Sequence, residues 1–120
     1  SLAAGRIVEV AVGPTLADGL AGNMDPLNLA FPIVQALVDR MTMVSEGDLE
    51  AGIRGLVEHE HLIAEGAGIA GVAAVLARRV ETRGLHTVVV VSGANIDTAR
   101  LVGVLERGRD GSNGVGGRSW

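Results

Sequence analysis

Residues 86–97 read His86-Thr87-Val88-Val89-Val90-Val91-Ser92-Gly93-Ala94-Asn95-Ile96-Asp97, and the reading of this stretch decides the fold. Four consecutive β-branched residues show no polar alternation. They predict a strand buried on both faces, the condition of a central strand in a parallel sheet. Small polar residues follow at its carboxyl end, where open α/β sheets place their ligands. Gly93 and Ala94 keep the turn tight and let a flat ligand approach the backbone. Asn95 or Asp97 can cap a following helix, in which Leu101, Val104 and Leu105 return at helical spacing and Gly108 marks a stop. A strand that runs into a polar turn is also the ordinary β-to-α corner with a cap, so these residues alone leave both readings open.

Outward from this stretch, the totals bound what the chain can be. Its 120 residues suffice for about one domain with a modest core. Hydrophobic residues make up 48% and aromatic ones 2%, so the core must be aliphatic, built from Val, Leu, Ile and Ala around the single Phe31. A net charge of −4 and the lack of a basic run argue against nucleic acid and anionic membrane surfaces as partners. Zero cysteines remove disulfides and thiolate chemistry, which suits a cytoplasmic protein. No apolar run reaches the length of a membrane span, and the start does not resemble a signal peptide. All ten basic residues are Arg, so no lysine is present to form a Schiff base with an aldehyde cofactor. The first residue is Ser rather than Met, as in a processed chain or a piece of a longer one.

Taken in order, residues 7–12 alternate weakly and read as a short strand, ended by Gly13-Pro14. Thr15 can cap a helical turn that carries Asp18 at its third position. A helix is expected over about 27–40, with Leu27, Phe31, Val34 and Val38 on one stripe and Pro32 either in the first turn or at a kink. Residues 41–44 are a further strand candidate. Ser45 then caps a helix with Asp48 at its third position and Leu49, Ile53 and Leu56 on the buried face, running to about Glu60. The cluster Glu58-His59-Glu60-His61 invites a metal reading, but His59 and His61 are two apart and so point to different faces of a helix. The cluster reads as a solvated helix end. A buried helix follows through Val72, Val75 and Leu76 to about Arg79, with Arg78, Arg79 and Arg83 near its C-terminal end and Gly84 as its stop.

Gly66-x-Gly68-x-x-Gly71 matches the dinucleotide fingerprint letter for letter. That fingerprint also needs a buried strand before it and an acidic residue closing the next strand. Residues 59–64 are too short and polar for the former, and no Asp or Glu closes 88–91. The glycines therefore read as permitting close helix packing.

Four motifs together, Thr15-Leu16-Ala17-Asp18-Gly19, Val44-Ser45-Glu46, Ala64-Glu65-Gly66-Ala67-Gly68 and Ser92-Gly93-Ala94-Asn95-Ile96-Asp97, resemble in order and spacing the threonine dehydratase, serine dehydratase and serine racemase family. These are pyridoxal 5'-phosphate enzymes. The resemblance implies an α/β chain, an incomplete three-layer fragment of the tryptophan synthase β-like fold. Residues 1–107 would form the C-terminal portion of the catalytic region, and 108–120 a disordered Gly-rich tail. It implies that Ser92 resembles the serine whose hydroxyl bonds the pyridine nitrogen of the cofactor. A neutral hydroxyl there leaves that nitrogen largely unprotonated, moderating the electron sink in favour of elimination. Gly19 resembles the glycine packed on one ring face, Glu65 the glutamate beside the ring, and Gly93, Ala94 and Asn95 the rest of the turn. Ala94 stands where many relatives have Gly.

The family's lysine, phosphate cup, substrate-carboxylate contacts and metal carboxylates have no counterpart in this sequence, so no catalytic or metal residue is assigned. The implied partners are an amino-acid substrate, a lysine-bearing N-terminal half and further copies in a homo-oligomer. The expected function is that part of a threonine or serine ammonia-lyase which converts a hydroxyamino acid to a 2-oxo acid and ammonia, inactive without the lysine-bearing half. The alternative is a non-catalytic binding or self-associating module.

Overall fold

The computed structural model describes the backbone of residues 1–112 and the side chains of 1–108. Helices dominate: α1 is Ala30–Leu37, α2 Glu46–Gly55, α3 Gly66–Leu76 and α4 Thr98–Ser112. A π-helical turn, Leu56–Glu60, extends α2, and single 3-10 turns lie at Leu2–Ala4 and Asp18–Leu20. Among the described residues no helix is long and apolar enough to cross a membrane.

Local chemistry sets the start of α2. The Ser45 hydroxyl accepts from the Asp48 N–H at 3.2 Å and the Asp48 carboxylate accepts from the Ser45 N–H at 2.9 Å, a reciprocal capping box. The Ser45 backbone bond, then the Ser45 hydroxyl and Arg79, hold the Asp48 carboxyl below its ordinary value of 3.8 against a smaller opposing effect of desolvation. Arg79 reaches Asp48 at 3.1 Å, so this arginine serves the start of α2 rather than the end of α3. Leu49, Ile53 and Leu56 recur on one face and are buried, each contributing roughly 1.5–3 kcal/mol by leaving water. They pack against Ile69 and Ala73 of α3 and Val104 of α4. The α2–α3 contact is close because Gly52 faces α3: a Cβ there would stand 3.0 Å from Ile69 Cγ1 and 3.4 Å from Ala73 Cβ.

Several boundaries differ from those the sequence predicts. The first helix is shorter, Ala30–Leu37, and Pro32 is its third residue, inside the first turn where its missing N–H is harmless. Of its stripe only Phe31 is buried, and Leu27 is 86% exposed. Helix α3 ends at Leu76, short of Gly84, with Arg78 in the left-handed region. Helix α4 does not stop at Gly108 but continues to Ser112. Arg54 explains the tolerance: its side chain crosses the glycine, so that a Cβ on Gly108 would collide with Arg54 Cδ, while Arg54 also donates to the Val104 carbonyl at 3.3 Å. Glu50 joins the same seam through Arg107 at 2.8 Å. The remainder of the expected tail, 113–120, lies outside the described residues.

The larger correction concerns the strands. None of 7–12, 41–44 and 88–91 forms one, and no β-strand occurs among the described residues. The valine run is not buried on both faces: Val89 is half-buried against α3, whereas Val88 is 92% and Val90 76% exposed. A helix closes its own backbone hydrogen bonds, but a parallel strand depends on neighbours along both edges. The described residues supply no such neighbour to 88–91.

Candidate functional site

The first turn of α3 is the point on which the predicted residues converge. Glu65 precedes the helix in an extended conformation, φ −76° and ψ 165°, and its N–H donates to the Gly93 carbonyl at 3.1 Å. Gly93 holds φ 69°, a left-handed conformation that side chains resist, and a Cβ on it would collide with the Glu65 carboxylate. One turn into the helix, a Cβ on Gly68 would fall on the Ser92 carbonyl oxygen, 2.6 Å from its carbon and 3.1 Å from the Gly93 oxygen. Gly66 stands in the same way against the Leu16 carbonyl, and Gly71 against Val89 Cγ1 at 2.9 Å. All three glycines of the apparent dinucleotide fingerprint are thus contact points for other segments, as the packing reading expects.

Gly19 approaches the same helix from a different segment. A Cβ there would stand 3.1 Å from Ala67 Cβ. The structure therefore gathers Gly19, Glu65, Ser92 and Gly93 around residues 65–68. Ala94 and Asn95 continue the turn, with Ile96 N–H donating to the Ala94 carbonyl at 2.9 Å. Asp97, not Asn95, caps α4, accepting from the Arg100 N–H at 2.9 Å. Ser92, Gly93, Ala94 and Asn95 are exposed and Glu65 is half-buried. Among the described residues the Ser92 hydroxyl and the Asn95 amide have no hydrogen-bond partner.

Other predicted roles change. Thr15 does not cap the 3-10 turn Asp18–Leu20, which lacks a side-chain cap. Its hydroxyl instead donates to Glu46 Oε1 and accepts from the Ala17 N–H at 3.1 Å, while Glu46 Oε2 accepts from the Leu16 N–H at 2.8 Å. Asp18 pairs with Arg100 at 2.8 Å. Nothing in the local sequence around Glu46 points to this role. Its partners lie about thirty positions away, beyond any local pattern. His59 and His61 are exposed, and His61 ends the π turn in the left-handed region with its ring Nδ1 3.3 Å from the Val57 carbonyl oxygen.

Residues 1–93 match the model of the pyridoxal-phosphate dependent enzyme family, and the chain belongs to that family. Its relatives are more particular. It is 44% identical over 108 residues to an L-threonine ammonia-lyase of Geobacter sulfurreducens, covering 90% of this chain and 27% of that protein. The corresponding figures for an L-threonine ammonia-lyase of Thermotoga maritima are 40%, 90% and 26%. Among solved structures it superposes on a serine racemase from Dictyostelium discoideum with a TM-score of 0.69 at 27% identity, over 81% of this chain and 31% of that one. For a solved threonine deaminase the TM-score is 0.66 at 32% identity, over 81% of this chain and 35% of that one. The chain thus spans about a third or less of the length of these relatives, and its fold is part of the tryptophan synthase β-like fold.

The family's cofactor can be tested against the residues present. The exposed turn offers the unpartnered Ser92 hydroxyl as a donor, with the Glu65 carboxylate lying against Gly93, a donor set compatible with one edge of a neutral pyridine ring.

Proposed function

We propose that this chain is the part of a threonine or serine ammonia-lyase that holds the pyridine ring of pyridoxal 5'-phosphate, with L-threonine as the first substrate to test. The observation that carries the reading is the convergence of Gly19, Glu65, Ser92 and Gly93 on the start of α3. When bound, the cofactor supplies the electron withdrawal that labilises the α-proton of an amino acid. The chain's residues orient it. The Ser92 hydroxyl would donate to the ring nitrogen and, being neutral, would leave that nitrogen largely unprotonated. Gly19, which packs on Ala67 without a side chain, would leave one ring face clear, and Glu65, fixed by its backbone bond to Gly93, would stand beside the ring. Proton abstraction falls to a lysine, which this sequence lacks, so the reading requires a lysine-bearing N-terminal half of the catalytic region.

The test is to supply that half with cofactor and to follow 2-oxobutyrate formed from L-threonine and pyruvate from L-serine. Turnover is expected with the complement and not with the chain alone, and Ser92→Ala is expected to lower kcat/KM by about fivefold to thirtyfold, the loss of one or two kcal/mol of hydrogen bonding. No 2-oxo acid from the complemented protein would reject the assignment.

A second reading, a binding module that associates with copies of itself and does no chemistry, is favoured by the exposed apolar side chains of Val88, Val90 and Met43, the last 85% exposed. Sedimentation separates the two: a dispersed monomer at micromolar concentration counts against self-association.

A further inference from the structure

The 15–19 segment has no regular structure before its single 3-10 turn, yet two helices hold it by charged side chains. From the first turn of α2, one carboxylate takes two bonds: Glu46 Oε1 from the Thr15 hydroxyl and Glu46 Oε2 from the Leu16 N–H at 2.8 Å. The Thr15 oxygen accepts in turn from the Ala17 N–H at 3.1 Å. Every hydrogen in this chain of bonds has one acceptor, so the three groups fix the orientation of the Leu16–Ala17 peptide. That peptide is the surface against which Gly66 packs, with a hypothetical Cβ 2.8 Å from the Ala17 nitrogen. From the first turn of α4, Arg100 reaches Asp18 at 2.8 Å, one residue before Gly19, and its own backbone N–H is bound by the Asp97 cap.

We propose that Glu46, acting through Thr15, is a positioning residue that sets Gly19 against the start of α3 and hence against the Ser92 turn, with Arg100 as a weaker second tie. The inference rests on the ring-binding reading above. Glu46 touches no part of the predicted ring site. It acts at one remove, by fixing the peptide planes from which Gly19 follows. Arg100, Asp18 and Glu46 are all exposed, so solvent and salt weaken both ties; Glu46 is the stronger because its one carboxylate takes two bonds, one of them from a backbone N–H, where Arg100 makes a single side-chain pair with Asp18.

The test uses the full chain and two readouts. The first is amide hydrogen exchange. Thr15→Val keeps the shape and removes the hydroxyl, Thr15→Ser restores it, and neither alters the charge at the start of α2. Exchange at Leu16 and Ala17 is expected to rise about tenfold in Thr15→Val and in Glu46→Ala, to return to the parent rate in Thr15→Ser, and to stay unchanged at Ile53 and Ile69. Arg100→Gln is expected to give a rise of roughly two- to threefold, abolished in about half-molar salt.

The second readout is titration with pyridoxine 5'-phosphate, which lacks the aldehyde and so reports ring contact alone, followed by the amide resonances of Gly19 and Ser92. Both should move in the parent and in Thr15→Ser, and Thr15→Val should need about tenfold more ligand. Unchanged Leu16 and Ala17 exchange in Thr15→Val, or acceleration spread equally over Ile53 and Ile69, overturns the positioning role while ring shifts in the parent leave the ring-binding reading standing. A parent in which Gly19 and Ser92 do not respond overturns both.

Discussion

A methyl group added at Gly68 tests the contact on which the candidate site depends. In the folded chain a Cβ at this position would lie 2.6 Å from the Ser92 carbonyl carbon and still closer to its oxygen. Ordinary contact between carbon atoms begins near about 3.5 Å, so clearing the carbonyl carbon alone takes about an ångström and clearing the nearer oxygen takes more, and neither side of the contact is a side chain that can rotate away. Overfilling a packed contact costs roughly 1–3 kcal/mol, and a backbone-on-backbone clash belongs at the upper end. Replacing Gly by Ala within a helix returns about 1 kcal/mol. The net expectation for Gly68→Ala is a loss of about 2 kcal/mol, or roughly 8 °C in Tm for a domain of this size. Gly47→Ala is the matched control: its nearest neighbour would be Ser45 Oγ at 3.8 Å, so propensity acts unopposed and stability should rise by up to about 1 kcal/mol. Urea unfolding followed by circular dichroism gives both values, and the amide resonances of Ser92 and Gly93 report whether the turn has moved. A Gly68→Ala chain as stable as the parent, with those resonances in place, would refute the close approach of α3 to the turn.

Three further outcomes follow from the same structure. Ser45→Ala removes one half of the capping box and should cost about 1 kcal/mol in urea unfolding. Acidification should destabilise the chain through Asp48. Its folded carboxyl titrates below the ordinary 3.8, so the unfolded chain takes up the proton first. The stabilisation is complete above that value and is lost as pH falls through it towards the lower folded one. Asp48→Asn, which keeps the oxygen that accepts from Ser45, should flatten that part of the stability profile. Ile53→Ala, at a side chain with no exposed surface, should cost about 2–5 kcal/mol by opening a cavity, whereas Leu37→Ala at 75% exposure should change stability by no more than about 0.5 kcal/mol.

The exposed valines bear on how the two functional readings relate. Val88 and Val90 face solvent while Val89 packs on Gly71 of α3, so the segment leading into the Ser92 turn is held from one side only. In the proposed enzyme the lysine-bearing half would cover the other side. In the self-associating module a second copy would. Either cover would remove from water the same apolar surface, which is why the assays that distinguish them read turnover and oligomeric state rather than stability.

Local patterns in the sequence carry the helices and their ends wherever the interaction is short-range. Ser45 and Asp48 announce the start of α2 because both partners lie within one turn; Asn95 and Asp97 place the start of α4 for the same reason, and the structure chooses Asp97 as the cap. Leu49, Ile53 and Leu56 announce the buried face through helical spacing, and the four motifs announce the family through their order and spacing. What the sequence left open is whatever depends on a distant partner. The Val88–Val91 run has the composition of a strand, but pairing lies between segments and no composition provides it. The continuation of α4 past Gly108 depends on Arg54, and the tie of Thr15 to Glu46 spans about thirty residues. Glu65, Ser92 and Gly19 could be named singly from their motifs. Their meeting at the start of α3 was decided by the fold, because Gly66 and Gly68 let the backbones at Leu16 and Ser92 come close to the first turn of that helix.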